Sequence, residues 1–142
     1  MKLGIFTKPI HVEKIVNYLN QHTNIDYIIC TNKQELDMYE FDVGVSYCFP
    51  YIIDIGKKIW YNYHPAPPNY PGMSNYSVPI KGKVTDFGVM LHKMTNVVDK
   101  GPIVKIKHFK LDSIPINSNE LGNITHYYLF QLFKETIEEL VK

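Results

Sequence analysis

The chain has 142 residues, of which 45% are apolar, and its formal net charge is +1. This length fits one domain with a single hydrophobic core. A charge so close to zero creates no strong field to attract nucleic acid or a membrane surface, and no apolar run reaches the length of a membrane span. We therefore expect a globular cytoplasmic protein that binds neither nucleic acid nor membrane.

The basic residues limit how an anionic ligand can be bound, and the two cysteines indicate the redox environment. Arginine is absent from the sequence, so a phosphate or carboxylate on a ligand has to be held by lysine, backbone N–H groups or neutral donors. Cys30 and Cys48 each lie near the end of an apolar run. Buried free thiols in a reducing compartment are favoured over a disulfide for this pair.

The first thirty residues predict a strand, a helix and a second strand. Residues 2–6 read as a buried strand, Thr7 can cap a helix whose first turn contains Pro9, and residues 25–30 form the next strand. This order favours an α/β fold: a compact, doubly wound, mostly parallel sheet flanked by helices. The turn at residues 7–10 has no glycine, so the dinucleotide-binding fingerprint is missing.

The rest of the chain continues the α/β pattern after a short polar stretch at residues 31–40. Further strands are predicted at residues 42–47, 59–63, 86–94 and 102–109. Asn117 and Glu120 have capping-box spacing, and a final helix follows. Its apolar stripe comprises Leu121, Ile124, Tyr128, Leu132, Ile137 and Leu140. Residues 65–79 are predicted to form a loop rich in Pro and Asn, long enough to be functional.

Three polar residues at predicted strand ends are candidates for chemistry. Asn62 and His64 are two residues apart in an extended segment, so both side chains project from one face. Asp99 lies in a turn between two later strands, and ligand crevices form at the strand ends of such sheets. Each residue alone has an ordinary structural explanation, but an amide donor beside a titratable ring suits a reaction in which a carbonyl oxygen gains charge. A metal site made of His64, His92 and Asp99 is disfavoured because its spacing matches no familiar ligand motif.

The segments that carry these residues resemble the signature of formyltransferases that use 10-formyltetrahydrofolate. The matching segments are Asn62-Tyr63-His64-Pro65, Asn69-Tyr70-Pro71-Gly72, Gly88-Val89-Met90-Leu91-His92 and Asp99-Lys100-Gly101-Pro102-Ile103-Val104. The resemblance covers about residues 42–109 and also fits the opening strand–helix–strand. It implies that residues 1–142 form a single formyltransferase catalytic-core domain with a Rossmann-type core.

The resemblance implies an N-formyltransferase with Asn62, His64 and Asp99 as catalytic residues and no metal. A primary amine would attack the formyl carbon carried on N10 of the folate. Asn62 and a protonated His64 would stabilise the oxyanion. Asp99 would favour the imidazolium and help to remove the amine proton.

The resemblance also implies which residues hold the two substrates. The folate donor would contact Tyr51, Ile52, Ile53, Val97 and Val98. Ile52 and Ile53 could equally be core residues. We expect Tyr70, Tyr76 and Lys100 to contact the acceptor.

The acceptor follows by elimination among the family's members. We find no stretch in these 142 residues that resembles the C-terminal domain of the tRNA enzyme or the Gly-rich phosphate loop of the glycinamide ribonucleotide enzyme. This leaves an amino sugar, linked to a nucleotide, as the expected acceptor. Two alternatives stay open: a non-catalytic folate- or nucleotide-binding module descended from the family, and a structural domain of a larger assembly. A homodimer is also open, since nothing in the sequence specifies a partner face.

Overall fold

One mixed sheet organises the protein, for which the computed structural model describes residues 1–70, 76–97 and 101–142. Within these residues six strands are arranged in the order β2-β1-β3-β4-β5-β6. They are β1 (Lys2–Thr7), β2 (Asp26–Cys30), β3 (Val43–Tyr47), β4 (Ile59–His64), β5 (Asp86–Lys93) and β6 (Ile103–Lys110). The α-helices are α1 (Pro9–His22), α2 (Ser77–Lys81) and α3 (Ser118–Thr136), and 3₁₀ helices span Lys33–Asp37 and Ile137–Val141.

The sheet changes direction at its centre. Strand β1 pairs in parallel with β2 and β3, and β3 pairs in parallel with β4. Strands β5 and β6 then extend the sheet through antiparallel pairings. The predicted α/β class with a mostly parallel sheet is confirmed. Because β4 lies between a parallel and an antiparallel neighbour, its side chains meet residues from both halves of the sheet.

The long helices α1 and α3 cover one face of the sheet, which carries the larger core. Alternate strand residues point toward these helices because successive side chains of a strand face opposite ways. The buried members from the strands include Leu3, Ile5, Val43, Val45, Tyr47, Tyr63, Phe87, Val89 and Leu91, and those from the helices include Ile15, Leu19, Leu121, Leu129, Leu132 and Phe133. In β5 the alternate residues Phe87, Val89 and Leu91 all belong to this core.

The opposite face holds a smaller aromatic cluster, which we call the aromatic face: Phe6, Cys30, Phe41, Phe49, Ile53 and Trp60. It is covered by Leu36 of the first 3₁₀ helix and by Ile55. Two glycines make room for the rings, since a Cβ at Gly4 would lie 2.6 Å from the Phe41 ring and one at Gly44 would overlap the Trp60 ring.

Two predicted caps have different outcomes. The prediction that Thr7 caps α1 is wrong: Thr7 ends β1, its hydroxyl donates to the Tyr47 carbonyl at 2.6 Å, and Lys8 takes the N-cap position without a side-chain hydrogen bond. The α3 cap is confirmed, because Asn117 accepts a hydrogen bond from the Glu120 N–H at 2.9 Å. The Glu120 carboxylate accepts from the Ile116 N–H at 3.2 Å.

Both cysteines are free thiols, as predicted. No helix in the described part of the chain combines the length and the apolar character needed to cross a membrane.

Candidate active site

Strand β4 places its polar side chains at the junction of the two halves of the sheet. Asn62 and His64 alternate with the buried Tyr63 and so lie on the same side as Trp60, as the two-residue spacing predicted. Asn62 pairs with Ser46 on β3 and with His92 on β5. The candidate site therefore begins where a parallel and an antiparallel neighbour both flank one strand.

A hydrogen bond to His92 holds the amide of Asn62. The Asn62 Nδ2 lies 3.2 Å from His92 Nε2, and the other ring nitrogen, Nδ1, lies 3.1 Å from the Lys93 carbonyl oxygen. A carbonyl oxygen only accepts, so His92 Nδ1 carries the proton and donates it. In neutral His92, Nε2 then accepts from the Asn62 amide. This arrangement turns the amide nitrogen of Asn62 toward His92 and fixes the side chain.

A second hydrogen bond fixes the ring of His64. Its Nε2 lies 2.9 Å from the Tyr70 carbonyl oxygen, and by the same reasoning Nε2 is the donor. The imidazole is 3% exposed. This contact holds the ring with its Nε2–H directed at the loop that follows β4.

Both residues open onto a cavity of about 410 Å³, which is within the range of small-molecule sites. Its wall also contains Tyr51, Ile52 and Ile53, which follow β3, and Val97, which follows β5. Ile53 is buried in the aromatic face, whereas the side chains of Ile52 and Val97 are 75% and 59% exposed. Exposed apolar side chains on the wall of a cavity can be covered by a flat ligand with apolar faces.

The residues predicted to hold the acceptor have different positions. Tyr76 lines the cavity, and its hydroxyl donates to the Pro65 carbonyl at 3.1 Å. The ring of Tyr70 packs on Phe87 at 5.5 Å between centroids and is not part of the cavity wall. Its main chain takes part instead, through the hydrogen bond to His64. Any contact of the Tyr70 side chain with an acceptor stays a prediction.

Three predicted site residues lie outside the described residues: Val98, Asp99 and Lys100. The convergence of Asp99 with Asn62 and His64 is therefore still a prediction. The adjoining Val97 lies on the cavity wall, as does the segment after β3.

The wall also contains residues that the sequence interpretation did not assign to the site. Lys8 brings a positive charge, and His92 contributes a second imidazole. Cys48 and His126 form another part of the wall, with the thiol Sγ 4.0 Å from His126 Nδ1. Lys8 reaches the wall because it directly follows β1, whereas His126 comes from α3, whose packing sequence spacing does not reveal.

Burial and nearby lysines shift the pKa values of these side chains. Burial lowers the pKa of His126 below its ordinary value, and the charges of Lys14 and Lys8 lower it further. Burial raises the pKa of the Cys48 thiol to about 12 despite the opposing effect of the same lysines. Near neutral pH this part of the wall therefore contains a neutral imidazole and a protonated thiol.

Comparison with solved structures identifies proteins of similar fold. An N-formyltransferase from Helicobacter canadensis, solved with folinic acid and dTDP-3-aminofucose, aligns with a TM-score of 0.79 and 21% identity over 99% of this chain and 64% of its own. The sugar 3N-formyltransferase WlaRD, solved with dTDP and 5-N-formyl-THF, aligns with a TM-score of 0.78 and 23% identity over 99% of this chain and 63% of its own. This chain therefore spans just under two thirds of the length of either protein.

A shorter enzyme aligns over nearly its whole length. Phosphoribosylglycinamide formyltransferase from Campylobacter jejuni has a TM-score of 0.74 and 15% identity over 100% of this chain and 98% of its own. No family model and no curated protein matches the sequence. Identities this low show that the fold is shared, and the predicted resemblance to formyltransferases is confirmed at that level.

Proposed function

We propose that this protein transfers a formyl group from 10-formyltetrahydrofolate to a primary amine, and that the amine belongs to an amino sugar linked to a nucleotide. The observation that carries the proposal is the cavity at the end of β4. Asn62 and His64 open onto it together with Tyr51, Ile52 and Val97, in a fold that formyltransferases share.

The chemistry proposed for Asn62 uses its position beside His92. The attacking amine forms a bond to the formyl carbon, and the formyl oxygen becomes an oxyanion. The amide nitrogen of Asn62 carries two N–H groups, so it can donate to His92 and to this oxygen. A donor held by a second side chain before substrate binds loses little freedom in the transition state, which is the condition for effective oxyanion stabilisation.

His64 would supply the second charge-stabilising group. The Tyr70 carbonyl accepts from Nε2–H, so the proton that converts His64 to imidazolium is added at Nδ1. A carboxylate nearby favours that cation, and Asp99 is the residue proposed for this role. The C–N10 bond then breaks, and the proton lost by the amine ends on the nitrogen of the departing tetrahydrofolate. Asp99 is also proposed to carry that proton.

The donor site is proposed at the segment after β3 and at Val97 and Val98. Ile52 and Val97 offer apolar surface, and the backbone around Tyr51 and Ile53 offers N–H and C=O groups. A pterin ring requires both apolar surface and backbone hydrogen-bonding groups, because its faces are flat and its edges have donors and acceptors. The folinic acid and 5-N-formyl-THF of the two sugar-enzyme structures are compounds of this class.

The acceptor is proposed from the same comparisons. The Helicobacter canadensis structure contains dTDP-3-aminofucose, and WlaRD was solved with dTDP. In this chain Lys8 and Tyr76 line the cavity, and Lys100 is predicted to adjoin it. Lysines are the residues here that can offset the charge of a diphosphate, since the sequence has no arginine.

The test is a formyl-transfer assay with 10-formyltetrahydrofolate and a panel of acceptors, comprising amino-sugar nucleotides and glycinamide ribonucleotide. We expect transfer to at least one amino-sugar nucleotide and little to glycinamide ribonucleotide. Asn62→Ala should lower kcat about 10²- to 10³-fold, because it removes an oxyanion donor. His64→Ala should lower it by about 10²-fold or more.

His22→Ala is the matched control, since His22 is an exposed imidazole on α1 away from the cavity wall. It should retain wild-type kcat, and circular dichroism should show that all three variants are folded. Transfer that survives both Asn62→Ala and His64→Ala would refute the assigned chemistry. Folate binding without transfer to any acceptor would favour a non-catalytic binding module instead.

A further inference from the structure

Three side chains that the formyl-transfer chemistry does not use converge beside the cavity. They are His11 of α1, Cys48 after β3 and His126 of α3. Their nitrogen and sulfur ligand atoms all lie within 4.8 Å of one another. The His11 and His126 rings are stacked with centroids 5.5 Å apart and planes at 22°.

The fold brings these residues together from distant parts of the chain. Helix α1 starts directly after β1, so His11 lies near the carboxyl end of that strand and of its neighbour β3. Cys48 follows β3 with a positive φ of 55°, and its thiol is 4.0 Å from His126 Nδ1. Cys48 therefore contacts the side of the sheet that α1 and α3 cover.

We propose that His11, Cys48 and His126 bind a transition-metal ion, with Zn²⁺ as the expected occupant. Two imidazoles and a thiolate are a ligand set that suits Zn²⁺. With ordinary Zn–N and Zn–S bonds, the ligand atoms of a tetrahedral site are about 3.4–3.6 Å apart. Side-chain rotations that bring the three ligand atoms about 1 Å closer to one another would therefore give the distances of a bound ion.

The protonation states of the three groups are compatible with metal binding. Burial lowers the pKa of His11 to about 4, with further lowering by Lys14, so this imidazole is neutral and has a lone pair to donate. Cys48 would bind as the thiolate and release its proton to solvent, as coordinating thiols do. Lys8 and Lys14 favour that release because their charges lower the thiol pKa. They also repel the ion, which the negative charge of the thiolate offsets in part.

Three protein ligands leave one coordination position open on a tetrahedral ion. Cys48 and His126 line the cavity, so the ion would lie at its wall. Water, or an oxygen of a molecule in the cavity, would then complete the coordination. This inference does not depend on formyl transfer, and its test uses no folate or acceptor.

The experiment is a Co²⁺ titration of the full chain after treatment with a chelator, followed by competition with Zn²⁺. We expect one Co²⁺ per chain, a thiolate-to-cobalt charge-transfer band, and loss of that band when Zn²⁺ is added. Cys48→Ala should abolish the band. His11→Gln and His126→Gln should each weaken Co²⁺ binding at least tenfold while leaving the thiol in place.

Matched controls use the other cysteine and an exposed histidine. Cys30→Ala should keep the charge-transfer band because Cys30 lies in the aromatic face, and His22→Gln should keep the affinity. The proposal is overturned if saturating Co²⁺ gives no charge-transfer band, or if the band persists in Cys48→Ala. It is also overturned if the two ligand-histidine variants bind Co²⁺ as tightly as His22→Gln. If Cys48→Ala does not fold, the Co²⁺ affinities of His11→Gln and His126→Gln, compared with that of His22→Gln, test the proposal.

Discussion

The amide of Asn62 and the ring of His64 are each held by a partner that the Asn-x-His spacing does not reveal. The spacing predicts that both side chains lie on one face of β4, and they do. It does not predict that His92 holds the amide or that the Tyr70 carbonyl holds the ring. Both partners come from other segments of the chain, so they become visible only once the sheet and the following loop are folded.

The contact between His92 and Asn62 makes His92 a positioning residue in the proposed reaction. Replacing it with leucine removes the His92 Nε2 acceptor, so the Asn62 amide is held less firmly in the oxyanion position. We expect His92→Leu to lower kcat by about tenfold, which corresponds to about 1.4 kcal/mol of transition-state stabilisation. The KM for the folate should change little, because His92 acts through Asn62.

The conservative variant separates positioning from packing. His92→Gln offers an amide oxygen to the Asn62 N–H and should recover part of the lost kcat. In the background Asn62→Ala, His92→Leu should have little further effect, because the group it positions has gone. Additive losses in the double variant would show that His92 does not act through Asn62.

Among the structural elements, the strands were more predictable than the short helices. Alternation and apolar runs predicted all six strands of the described residues to within two residues at each end. Helix α2 begins inside the loop predicted for residues 65–79, because five residues are too few to establish a helical period. The failed Thr7 cap has a related cause. Its hydroxyl is bound by the Tyr47 carbonyl of β3, a tertiary contact that competes with the local one.

Gly4 on β1 and Gly44 on β3 lie opposite each other, and both leave room for rings of the aromatic face. A methyl group at Gly44 would overlap the Trp60 ring, so Gly44→Ala should displace this side chain from the aromatic face. We expect a loss of about 1–3 kcal/mol in the free energy of unfolding, as for other overpacked cores. Chemical denaturation followed by circular dichroism measures it.

A double-variant cycle provides the control for this prediction. Trp60→Leu alone leaves a void and is destabilising, but the void has room for the new methyl group at position 44. The double variant should therefore be more stable than the sum of the two single effects predicts. Strict additivity would mean that Gly44 is required for its backbone and not for the space it leaves.

At the scale of the whole molecule, sequence patterns identified the fold and part of the cavity. The predicted folate segment and Val97 line the same cavity as Asn62 and His64. The cluster of His11, Cys48 and His126 had no sequence signal, since Cys48 and His126 are 78 residues apart and only the packing of α3 joins them. Metal-ligand motifs are recognised by short spacings, and this group has none.

Ligand binding to the folded state alone should stabilise the protein, and this gives a test of the proposed donor site without turnover. At a folinic acid concentration of 100 times Kd, the gain in the free energy of unfolding is about 2.7 kcal/mol, which for a chain of this size raises Tm by about 8 °C.

Ile52 is 75% exposed on the cavity wall, so Ile52→Asp should fold normally but lose apolar contact with the ligand. We expect its affinity for folinic acid to fall by about tenfold or more, since burying such a side chain contributes about 1.5–3 kcal/mol. Ile116→Asp is the matched control, because Ile116 is 82% exposed and does not line the cavity. A thermal shift lost equally in both variants, or retained in full by Ile52→Asp, would place folinic acid somewhere other than this wall.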